Sequence, residues 1–456
     1  MAPSGMDGAV NANADLEREF ARVVGEAWVL EAGEGSAYAI DGVAPRLVVT
    51  PGSPEELAEV LKLSAAAGLR VLPRGGGTKL ALGNPPEAGE VCVSTVRLDK
   101  VIVYRPADMT VSVQAGVRLE SLQRTLAEKG QFLALDPPRA DLATIGGVLA
   151  ANSSGPLRAG YGTARDVLIG IRVAHADGVL TKAGGMVVKN VTGYDMDKLY
   201  VGSLGTLGVI VEANFKLNPL PAVEKTIAGR FGDARGAESA VDALVYSVLS
   251  PNSVEMLNEG ATRSVDMGGG ATVSRMLLVK FGARAEAVER QIRDAAGMIE
   301  EAGGEVAGVL EGADQLRVWN ALRNLPHTLA KDAVICKISS LSSSFGPVLR
   351  TVEDCAREEG LQAPAWGRAI NGVAYAALTG APAAPEKLRG AIESLRMRLG
   401  RLKATLVIES CPTEVKRGLD VWDGDLDANA LDVMRSIKAK FDPGRVLNPG
   451  RFVGGI

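Results

Sequence analysis

Residues 73–80 read PRGGGTKL, and they follow the run LRVL at 69–72. A short, largely apolar run bounded by turn residues predicts a buried strand. The three glycines after it present backbone N–H groups with no side chain in the way, as a phosphate-binding turn does. Neither familiar motif fits, because Leu80 stands where GxGxxG needs a third glycine and the order Thr78-Lys79 is not that of a Walker motif. A flexible surface loop is the other interpretation of this stretch alone.

Two more glycine-rich stretches follow in the same α/β region. In DLATIGGVLAANSSG (141–155), Gly146 and Gly147 open a predicted short helix with Thr144 as its cap, and a helix N-terminus attracts anions. In GSLGTLGVIVEA (202–213), glycines spaced three residues apart precede a predicted strand. Close backbone packing would explain each stretch by itself. The three together favour a long ligand with two phosphates that lies across several loops.

Composition excludes several classes of protein. The chain has 456 residues, 46% of them hydrophobic and 23% charged, and this length predicts two or three domains. A net charge of -4 gives no reason to expect nucleic acid or an anionic membrane as a partner. No apolar run reaches the roughly 18 residues of a spanning helix, and no secretory pattern opens the chain, so we expect a cytoplasmic protein. The four cysteines form no iron–sulfur ligand run.

The order of predicted elements changes at the proline-marked linker NPLPA, residues 218–222. After it, strands and helices follow the order βαββαβ, and the same order recurs beyond a helical insert around Trp319. A doubled pattern of this kind predicts an internal repeat and an antiparallel sheet covered by helices on one face. We therefore expect an α+β fold in four parts: an N-terminal segment with a helix (1–44), a ligand-binding domain (45–222), a cap domain (223–419) and a C-terminal segment (420–456).

Four motifs, in this order, resemble the FAD-binding oxidoreductases of the vanillyl-alcohol oxidase and p-cresol methylhydroxylase (PCMH) superfamily. They are PRGGGT, TIGGVLAANSSG with YGTARD, KNVTGYDMDKLYVGSLGTLGVI, and DPGRVLNPGRF. Within the branch of glycolate oxidases and D-lactate dehydrogenases, VVKNVTGYDMDKLYVGSLGTLG is especially similar to the FAD-binding E subunit of glycolate oxidase. The resemblance implies a PCMH-type FAD-binding domain of two subdomains at 45–222, a C-terminal segment that returns to the flavin, and FAD as the cofactor.

The resemblance also implies which residues hold FAD. Around the pyrophosphate it places Pro73, Arg74, Gly75, Gly76, Gly77, Thr78, Lys79, Thr144, Ile145, Gly146 and Gly147, with Asn152, Ser153 and Gly155 nearby; towards the isoalloxazine Tyr161, Gly162 and Asn448; and along the adenine and ribose Gly205, Gly208, Val209 and Ile210. Some members bond the flavin covalently through a histidine near the triple-glycine turn. No histidine or cysteine lies between Arg70 and Asn84, so we expect non-covalent FAD.

The scarcity of histidine bears on the chemistry. Related D-2-hydroxy acid dehydrogenases carry cap histidines and a carboxylate that bind a divalent metal and the substrate, and oxidation of an alcohol needs a base or metal for the hydroxyl proton. This chain has two histidines, His175 in the predicted FAD-binding domain and His327 in the cap. We expect structural roles for both and no metal site, since about three protein ligands are usual. The sequence names no catalytic residue.

The leading hypothesis is therefore a FAD-binding subunit of a heteromeric glycolate or D-lactate (2-hydroxy acid) dehydrogenase. Its flavin would relay electrons from substrate oxidation towards an iron–sulfur subunit, and a second, histidine-bearing FAD-linked oxidase subunit would hold the substrate. Any attachment to a membrane would come through these partners. Two alternatives stay open. One is a non-catalytic flavin-containing scaffold subunit. The other is a self-sufficient FAD-dependent oxidase or dehydrogenase of a different small acid or alcohol, with Arg323, Lys337, Arg368 and Tyr375 as candidates for binding a carboxylate.

Overall fold

The computed structural model describes residues 6–33, 36–187, 193–265, 273–329, 333–380, 385–423 and 427–456, with side chains from Asp15 onward. Part of the motif KNVTGYDMDKLY, at 189–192, lies outside the described residues. The helices are α1 (Met6–Val24), α2 (Pro54–Ala66), α3 (Leu119–Ala127), α4 (Ile145–Ala151), α5 (Arg158–Tyr161), α6 (Ala164–Val167), α7 (Met196–Tyr200), α8 (Ala234–Val245), α9 (Glu259–Ser264), α10 (Ala285–Glu301), α11 (Gly312–Thr328), α12 (Phe345–Glu358), α13 (Pro385–Gly400), α14 (Thr413–Lys416) and α15 (Ala428–Phe441). The strands are β1 (Val29–Glu31), β2 (Leu47–Val49), β3 (Val71–Arg74), β4 (Val91–Ser94), β5 (Val101–Arg105), β6 (Thr110–Gln114), β7 (Gln131–Phe132), β8 (Leu168–Ala174), β9 (Leu180–Gly184), β10 (Val209–Lys216), β11 (Asn218–Pro219), β12 (Val223–Phe231), β13 (Ser253–Asn258), β14 (Arg275–Ala283), β15 (Glu305–Leu310), β16 (Val334–Ser339), β17 (Ala365–Arg368), β18 (Val373–Leu378) and β19 (Thr405–Ser410).

In the described residues of the N-terminal half, β7 pairs with β11, and two larger sheets are present. One has the strand order β1-β2-β4-β3, with parallel pairs on both sides of β4, and the other is an antiparallel sheet of order β5-β6-β10-β8-β9. Helix α2 begins as its sequence predicts, with Ser53 accepting a hydrogen bond from the Glu56 N–H and Pro54 at the first helical position. The triple-glycine turn follows β3 directly, so the first sheet positions it.

The C-terminal segment returns to β3. The Val71 N–H donates to the Val446 carbonyl at 2.7 Å, and the Asn448 N–H donates to the Val71 carbonyl at 2.9 Å. Val446 and Leu447 are buried in the core of the first sheet. The segment predicted to come back from the C-terminus is therefore held by backbone hydrogen bonds beside the glycine turn.

The C-terminal half contains an eight-stranded sheet of order β15-β12-β14-β13-β17-β18-β16-β19. The first βαββαβ unit supplies the four neighbouring strands β15-β12-β14-β13, and the second unit supplies β17-β18-β16-β19. Counted by position within its unit, the second order is the reverse of the first. The two units meet where β13 pairs antiparallel with β17. The topology confirms the doubled βαββαβ pattern and the internal repeat.

Helices cover both faces of this sheet, which differs from the prediction of one covered face. Helices α8, α10, α12 and α13 share one core with the strands, whereas α11 packs Val318, Trp319 and Leu322 against the opposite face. The strands explain the difference, because neighbours such as Ile227 and Ala228 are both apolar and point to opposite faces. We call the face that carries α11 the cleft-facing side of the cap.

Among the helices in the described ranges, none combines the length and the apolar character that a membrane crossing requires.

Candidate functional site

The triple-glycine turn lies against the loop that leads into α4. A Cβ on Gly75 would lie 2.1 Å from Thr144 Oγ1, and a Cβ on Gly76 would lie 1.8 Å from the Leu142 carbonyl oxygen. The Gly76 N–H donates to Thr144 Oγ1 at 3.3 Å. Gly77 has φ +73°, in the region that favours glycine. This approach of two backbones therefore requires glycine.

The start of α4 offers less to an anion than the sequence predicts. Thr144 is the residue before the helix, but its side chain makes no capping hydrogen bond. The Ile145 and Gly146 N–H groups donate to backbone carbonyls near the end of β6, at 2.9 and 2.7 Å. The Ile145 side chain is buried in the core. Gly147 and Ala150 are the residues of this stretch that line both grooves described below.

The third glycine stretch is tied to α4. The N–H groups of Gly202 and Leu204 donate to the Leu149 and Ala150 carbonyls, each at 2.9 Å. Leu204 has φ +52°, a conformation that costs a side-chain-bearing residue about 1–3 kcal/mol and is concentrated at functional sites. Asn448 Nδ2 donates to the Leu204 carbonyl at 2.6 Å and so joins the C-terminal segment to the same turn.

These segments form one cleft made of two adjoining grooves. The wall common to both grooves consists of Pro73, Arg74, Gly75, Gly147, Ala150 and Leu204. One end of the cleft is lined by Thr95, Gly146, Gly205, Gly208, Val209 and Ile210. The other end, which we call the cap end, is lined by Ile40, Gly76, Gly77, Thr78, Lys79, Leu80, Thr144, Ala151, Asn448 and Arg451. The cleft thus brings together most of the residues that the resemblance assigns to the binding of FAD.

The remaining implied residues lie on or beside the segment that meets the cap. Asn152 has φ +45° and a buried Oδ1 with no hydrogen-bond partner, and Ser153 is buried after it. The Gly155 carbonyl accepts a hydrogen bond from the cap. Tyr161 Oη accepts one from Asn252 Nδ2 at 3.0 Å, and Gly162, at φ +81°, ends α5.

Two arginines, Arg74 and Arg451, line the cleft. Arg74 donates to the Ala37 carbonyl, and its guanidinium lies 4.6 Å from the centroid of the Tyr38 ring. Arg451 was not predicted, although it stands in the motif LNPGRF. It is buried in the cleft wall, burial lowers its pKa to about 10, and its Nε and Nη1 have no hydrogen-bond partner. Nη1 lies 3.8 Å from Asp41 Oδ2, so Nε is the donor of Arg451 that is left for a ligand of the cleft.

Two buried lysines hold the ends of the cleft. Lys438 Nζ pairs with Asp442 at 2.7 Å and donates to the Thr206 carbonyl at 2.8 Å. Lys416 Nζ pairs with Asp41 at 2.7 Å and donates to the Ala81 carbonyl at 2.6 Å. Burial lowers the pKa of both lysines. These charges fix backbone carbonyls next to the glycine turns.

The cap end of the cleft leads to a cavity of about 290 Å³. Residues 77–81 of the turn form one wall, and Pro326, His327, Ile335, Glu409 and Ser410 form the other. The cavity therefore lies between the glycine turn and the cap.

A largely buried ion pair joins Lys79 of the turn to Glu409 of β19. Burial is the largest single influence and opposes both charges, but Lys79 and Lys337 together lower the pKa of Glu409, and the charge and hydrogen bond of Glu409 contribute most to raising the pKa of Lys79. The pair is thus ionised at neutral pH. Burial, and next the positive charge of Lys79, lower the pKa of His327 to about 4, so this imidazole is neutral. Its Nε2 is buried without a hydrogen-bond partner.

The Lys79–Glu409 pair gives a direct prediction. Lys79→Met or Glu409→Leu alone is expected to cost about 3–5 kcal/mol of unfolding free energy, because each leaves an uncompensated buried charge. The double variant Lys79→Met/Glu409→Leu should cost less than either. Urea denaturation of the FAD-free protein measures the coupling. The exposed pair Lys62–Glu59 is the control, with an expected coupling below about 1 kcal/mol. A coupling of zero between Lys79 and Glu409 would contradict the prediction.

Arg368, at the end of β17, reaches from the cap to the other half of the chain. Its Nη2 donates to the Ser154 carbonyl at 3.1 Å and its Nε to the Gly155 carbonyl at 3.3 Å. The guanidinium lies 4.7 Å from the centroid of the Tyr375 ring. Its Nη1 is buried and has no hydrogen-bond partner. A buried guanidinium with one unused donor is suited to a carboxylate or another ligand oxygen.

Two carboxyl groups flank Arg368. Glu255 is its cross-strand partner between β13 and β17, with Oε1 3.4 Å from Nε, and neither oxygen of Glu255 has a hydrogen-bond partner. Burial raises the pKa of Glu255 to about 7; Arg368 acts against this and Asp136 adds to it. Asp136 Oδ2 accepts the Leu157 N–H at 3.0 Å, and burial raises its pKa too. A Cβ on Gly155 would lie 2.5 Å from Asp136 Oδ1, so glycine is needed there.

Of the four cap residues considered in the sequence for carboxylate binding, Arg368 and Tyr375 contact each other. The charges of Arg323 and Lys337 lower the pKa of Asp136 and of Glu409, respectively. Sequence reasoning missed Asp136, Glu255 and Glu409. A signal for Glu255 was present, since in SVEMLN it alternates with apolar residues and so points away from the helix-covered core.

The other histidine has a structural environment, as expected. His175 Nε2 lies 2.7 Å from Thr181 Oγ1, and the ring contacts Tyr200 and Phe441.

A long glycine-walled cleft below an antiparallel cap defines the architecture of a flavin-dependent oxidoreductase. The family model of the FAD binding domain matches residues 45–184, and that of the C-terminal domain of FAD linked oxidases matches residues 220–390 and 423–452. D-lactate dehydrogenase of Archaeoglobus fulgidus is 30% identical over 431 residues, which are 90% of this chain and 93% of that protein. The chain belongs to the FAD-linked oxidase family, and FAD is its cofactor.

Other similar proteins agree with this assignment. The glycolate oxidase subunit GlcD of Bacillus subtilis is 27% identical over 423 residues, 89% of this chain and 88% of that protein. Among solved structures, p-cresol methylhydroxylase superposes with a TM-score of 0.75 over 96% of both chains at 15% identity. Alkyldihydroxyacetonephosphate synthase has a TM-score of 0.74 at 18% identity and covers 95% of this chain and 84% of its own. These structures establish a PCMH-type fold.

Proposed function

We propose that this chain is the FAD-carrying subunit of a heteromeric dehydrogenase of glycolate or D-lactate, and that its flavin relays electrons to an iron–sulfur subunit. The observation that carries the proposal is the contrast between a fully built cofactor cleft and a cap face that offers one neutral imidazole, that of His327. A second FAD-linked oxidase subunit would supply the histidines and hold the substrate. The name of the Bacillus subtilis relative, a glycolate oxidase subunit, supports membership of such an assembly. The chain would work in the cytoplasm and reach a membrane only through these partners.

The residues of the cleft fit FAD. When bound, FAD supplies an acceptor of two electrons. The glycine turn at 75–77 and Gly147 would hold the pyrophosphate, and Gly208, Val209 and Ile210 the adenosine end. The flavin ring would take the cap end, because this is the end that adjoins the cap. The buried atoms there that lack a hydrogen-bond partner, Asn448 Oδ1 and Arg451 Nε, are ones that a polar, non-covalently bound cofactor would satisfy.

The test compares the isolated chain with the complete assembly. Loaded with FAD, the chain alone is expected to stay oxidised when glycolate or D-lactate is added without oxygen. In the assembly its flavin should lose its visible absorbance. A histidine-bearing flavoprotein and a cysteine-rich iron–sulfur chain that co-purify with the native protein would support the proposal. Rapid reduction of the isolated chain would contradict the relay role, and a flavin that stays oxidised while the assembly turns over would assign a scaffold role.

A second candidate is a self-sufficient dehydrogenase of another small carboxylic acid. The observation that favours it is the unused Nη1 of Arg368 beside Tyr375, on the cleft-facing side of the cap. Arginine is suited to a carboxylate by its fork of donors. A panel of 2-hydroxy acids added to the isolated, FAD-loaded chain separates the two candidates, since one rapid reductant in the panel would favour the second.

A further inference from the structure

We propose that residues 36–43 form a strap across the cap end of the cofactor cleft, and that this strap opens for FAD to enter or leave. The strap lies before the residues that the two family models match, because the first match begins at residue 45. The proposal rests on FAD binding and on neither candidate function. It therefore holds or fails separately from both.

The second half of the strap is a tight turn. The Ile40 and Val43 N–H groups each donate to the other residue's carbonyl at 2.9 Å. Between them, Asp41 and Gly42 have φ +49° and +87°. Asp-Gly is a favoured pair where both central residues of a turn need positive φ. The turn therefore follows from the local sequence and carries the Asp41 carboxylate at its tip.

The strap forms part of the cleft wall. Ile40 lines the cap end of the cleft and is only 5% exposed. Arg74 and Arg451, which line the same end, both lie against the strap. A molecule that fills this end of the cleft would therefore lie against residues 36–43.

Side chains hold the strap at two points. At the first, Arg74 donates to the Ala37 carbonyl, and its guanidinium lies 4.6 Å from the centroid of the Tyr38 ring. At the second, Asp41 Oδ2 lies 2.7 Å from Lys416 Nζ and 3.8 Å from Arg451 Nη1. The two anchors join the strap to the glycine turn, to the C-terminal segment and to α14.

The strap is the wall of the cap end that opens most easily. Among the described residues, its backbone-to-backbone hydrogen bonds stay within residues 33–43. The other walls are continuous with β3 and α4 or, in the C-terminal segment, are hydrogen-bonded to β3. A segment without pairing to a sheet opens at a lower free energy than the core elements do. FAD would therefore exchange past the strap.

The test measures the rates of FAD binding and release in Tyr38→Leu. Tyr38 is not among the described residues that line either groove, so this variant weakens an anchor and leaves the wall in place. A gate slows entry and release alike. Loss of the contact between Arg74 and the ring should therefore raise both rates about three- to tenfold, with Kd nearly unchanged.

Both rates are accessible with the full chain. Stopped-flow flavin fluorescence follows association of FAD with the FAD-free protein, and displacement of radiolabelled FAD by unlabelled FAD follows release. The matched control is Trp28→Leu, because the Arg97 guanidinium lies 4.0 Å from the centroid of the Trp28 ring and neither residue lines a groove. This control should keep both wild-type rates.

An association rate in Tyr38→Leu equal to that of the wild type would overturn the proposal, because loss of an ordinary binding or structural contact does not speed the entry of FAD. Equal acceleration in Trp28→Leu would overturn it too. Asp41→Asn tests the second anchor independently and serves if Tyr38→Leu does not fold, since the amide keeps an oxygen for Lys416. Both rates should rise in this variant, and an unchanged association rate would again contradict the strap's role.

Discussion

Gly76→Ala is expected to give a protein that is purified without its yellow colour. The new Cβ would lie 1.8 Å from the Leu142 carbonyl oxygen, and a backbone atom cannot move aside as a side chain can. The glycine turn must then separate from the loop before α4, which parts the two walls of the cleft. If this costs about 3 kcal/mol of binding free energy, FAD affinity falls about a hundredfold. Titration of the FAD-free protein with FAD, followed by flavin fluorescence, measures the loss.

The matched control for this variant is Gly390→Ala on α13. A Cβ there meets no atom within 4 Å, and alanine in a helix is about 1 kcal/mol better than glycine. The control should bind FAD as the wild type does and unfold at a slightly higher temperature. Equal affinity of Gly76→Ala and the control for FAD would show that the turn does not shape the cleft.

Arg368→Ala is expected to destabilise the FAD-free protein strongly and in a pH-dependent way. Loss of the guanidinium removes the positive charge that acts on Glu255 and leaves Asp136 with only the charges of Arg323 and Lys280. An uncompensated buried carboxylate costs about 3–5 kcal/mol. The pKa of Glu255 is already raised to about 7, and without Arg368 it rises further. A group with a raised folded-state pKa loses its stabilising contribution as the pH rises through that value. The deficit should therefore be larger at pH 8 than at pH 5.

Urea denaturation at the two pH values measures this deficit. Arg357→Ala is the control, because Arg357 and its partner Asp354 are 75% and 55% exposed, and such surface pairs contribute less than about 1 kcal/mol. A deficit of the same size at pH 5 and pH 8 would show that Glu255 and Asp136 do not depend on Arg368 for their charge.

The order of elements in the cap was predictable because local signals define it. Alternating apolar residues, a proline at the first position of a helix and glycine stops act over a few residues. They gave the doubled βαββαβ order, which the sheet topology confirms. The sequence did not predict that α11 covers the second face of the sheet. Apolar residues on both faces of a strand indicate that both faces are buried, but they do not identify the element that packs on each face.

Within the cofactor cleft, the glycine motifs predicted the walls but not every side chain. Leu204 and Arg451 line the cleft without having been predicted, whereas Ile145 turns into the core. A resemblance to a family assigns the same role to all the residues of a matching motif. Whether a residue of a motif faces the cleft or the core depends on the packing of each turn.

By itself, the sequence of this protein determined that glycine-rich turns would meet around a dinucleotide and that a repeated antiparallel unit would follow. Both follow from the lack of a side chain at particular positions and from short-range periodicity, which are properties of the chain as written. Only the tertiary structure decided that Glu255, Arg368 and Asp136 would share one buried place. These residues are brought together by the pairing of β13 with β17 and by the docking of the cap on the Ser154–Gly155 segment. The low polarity of that contact then raises the pKa of Glu255, and no local pattern carries this information.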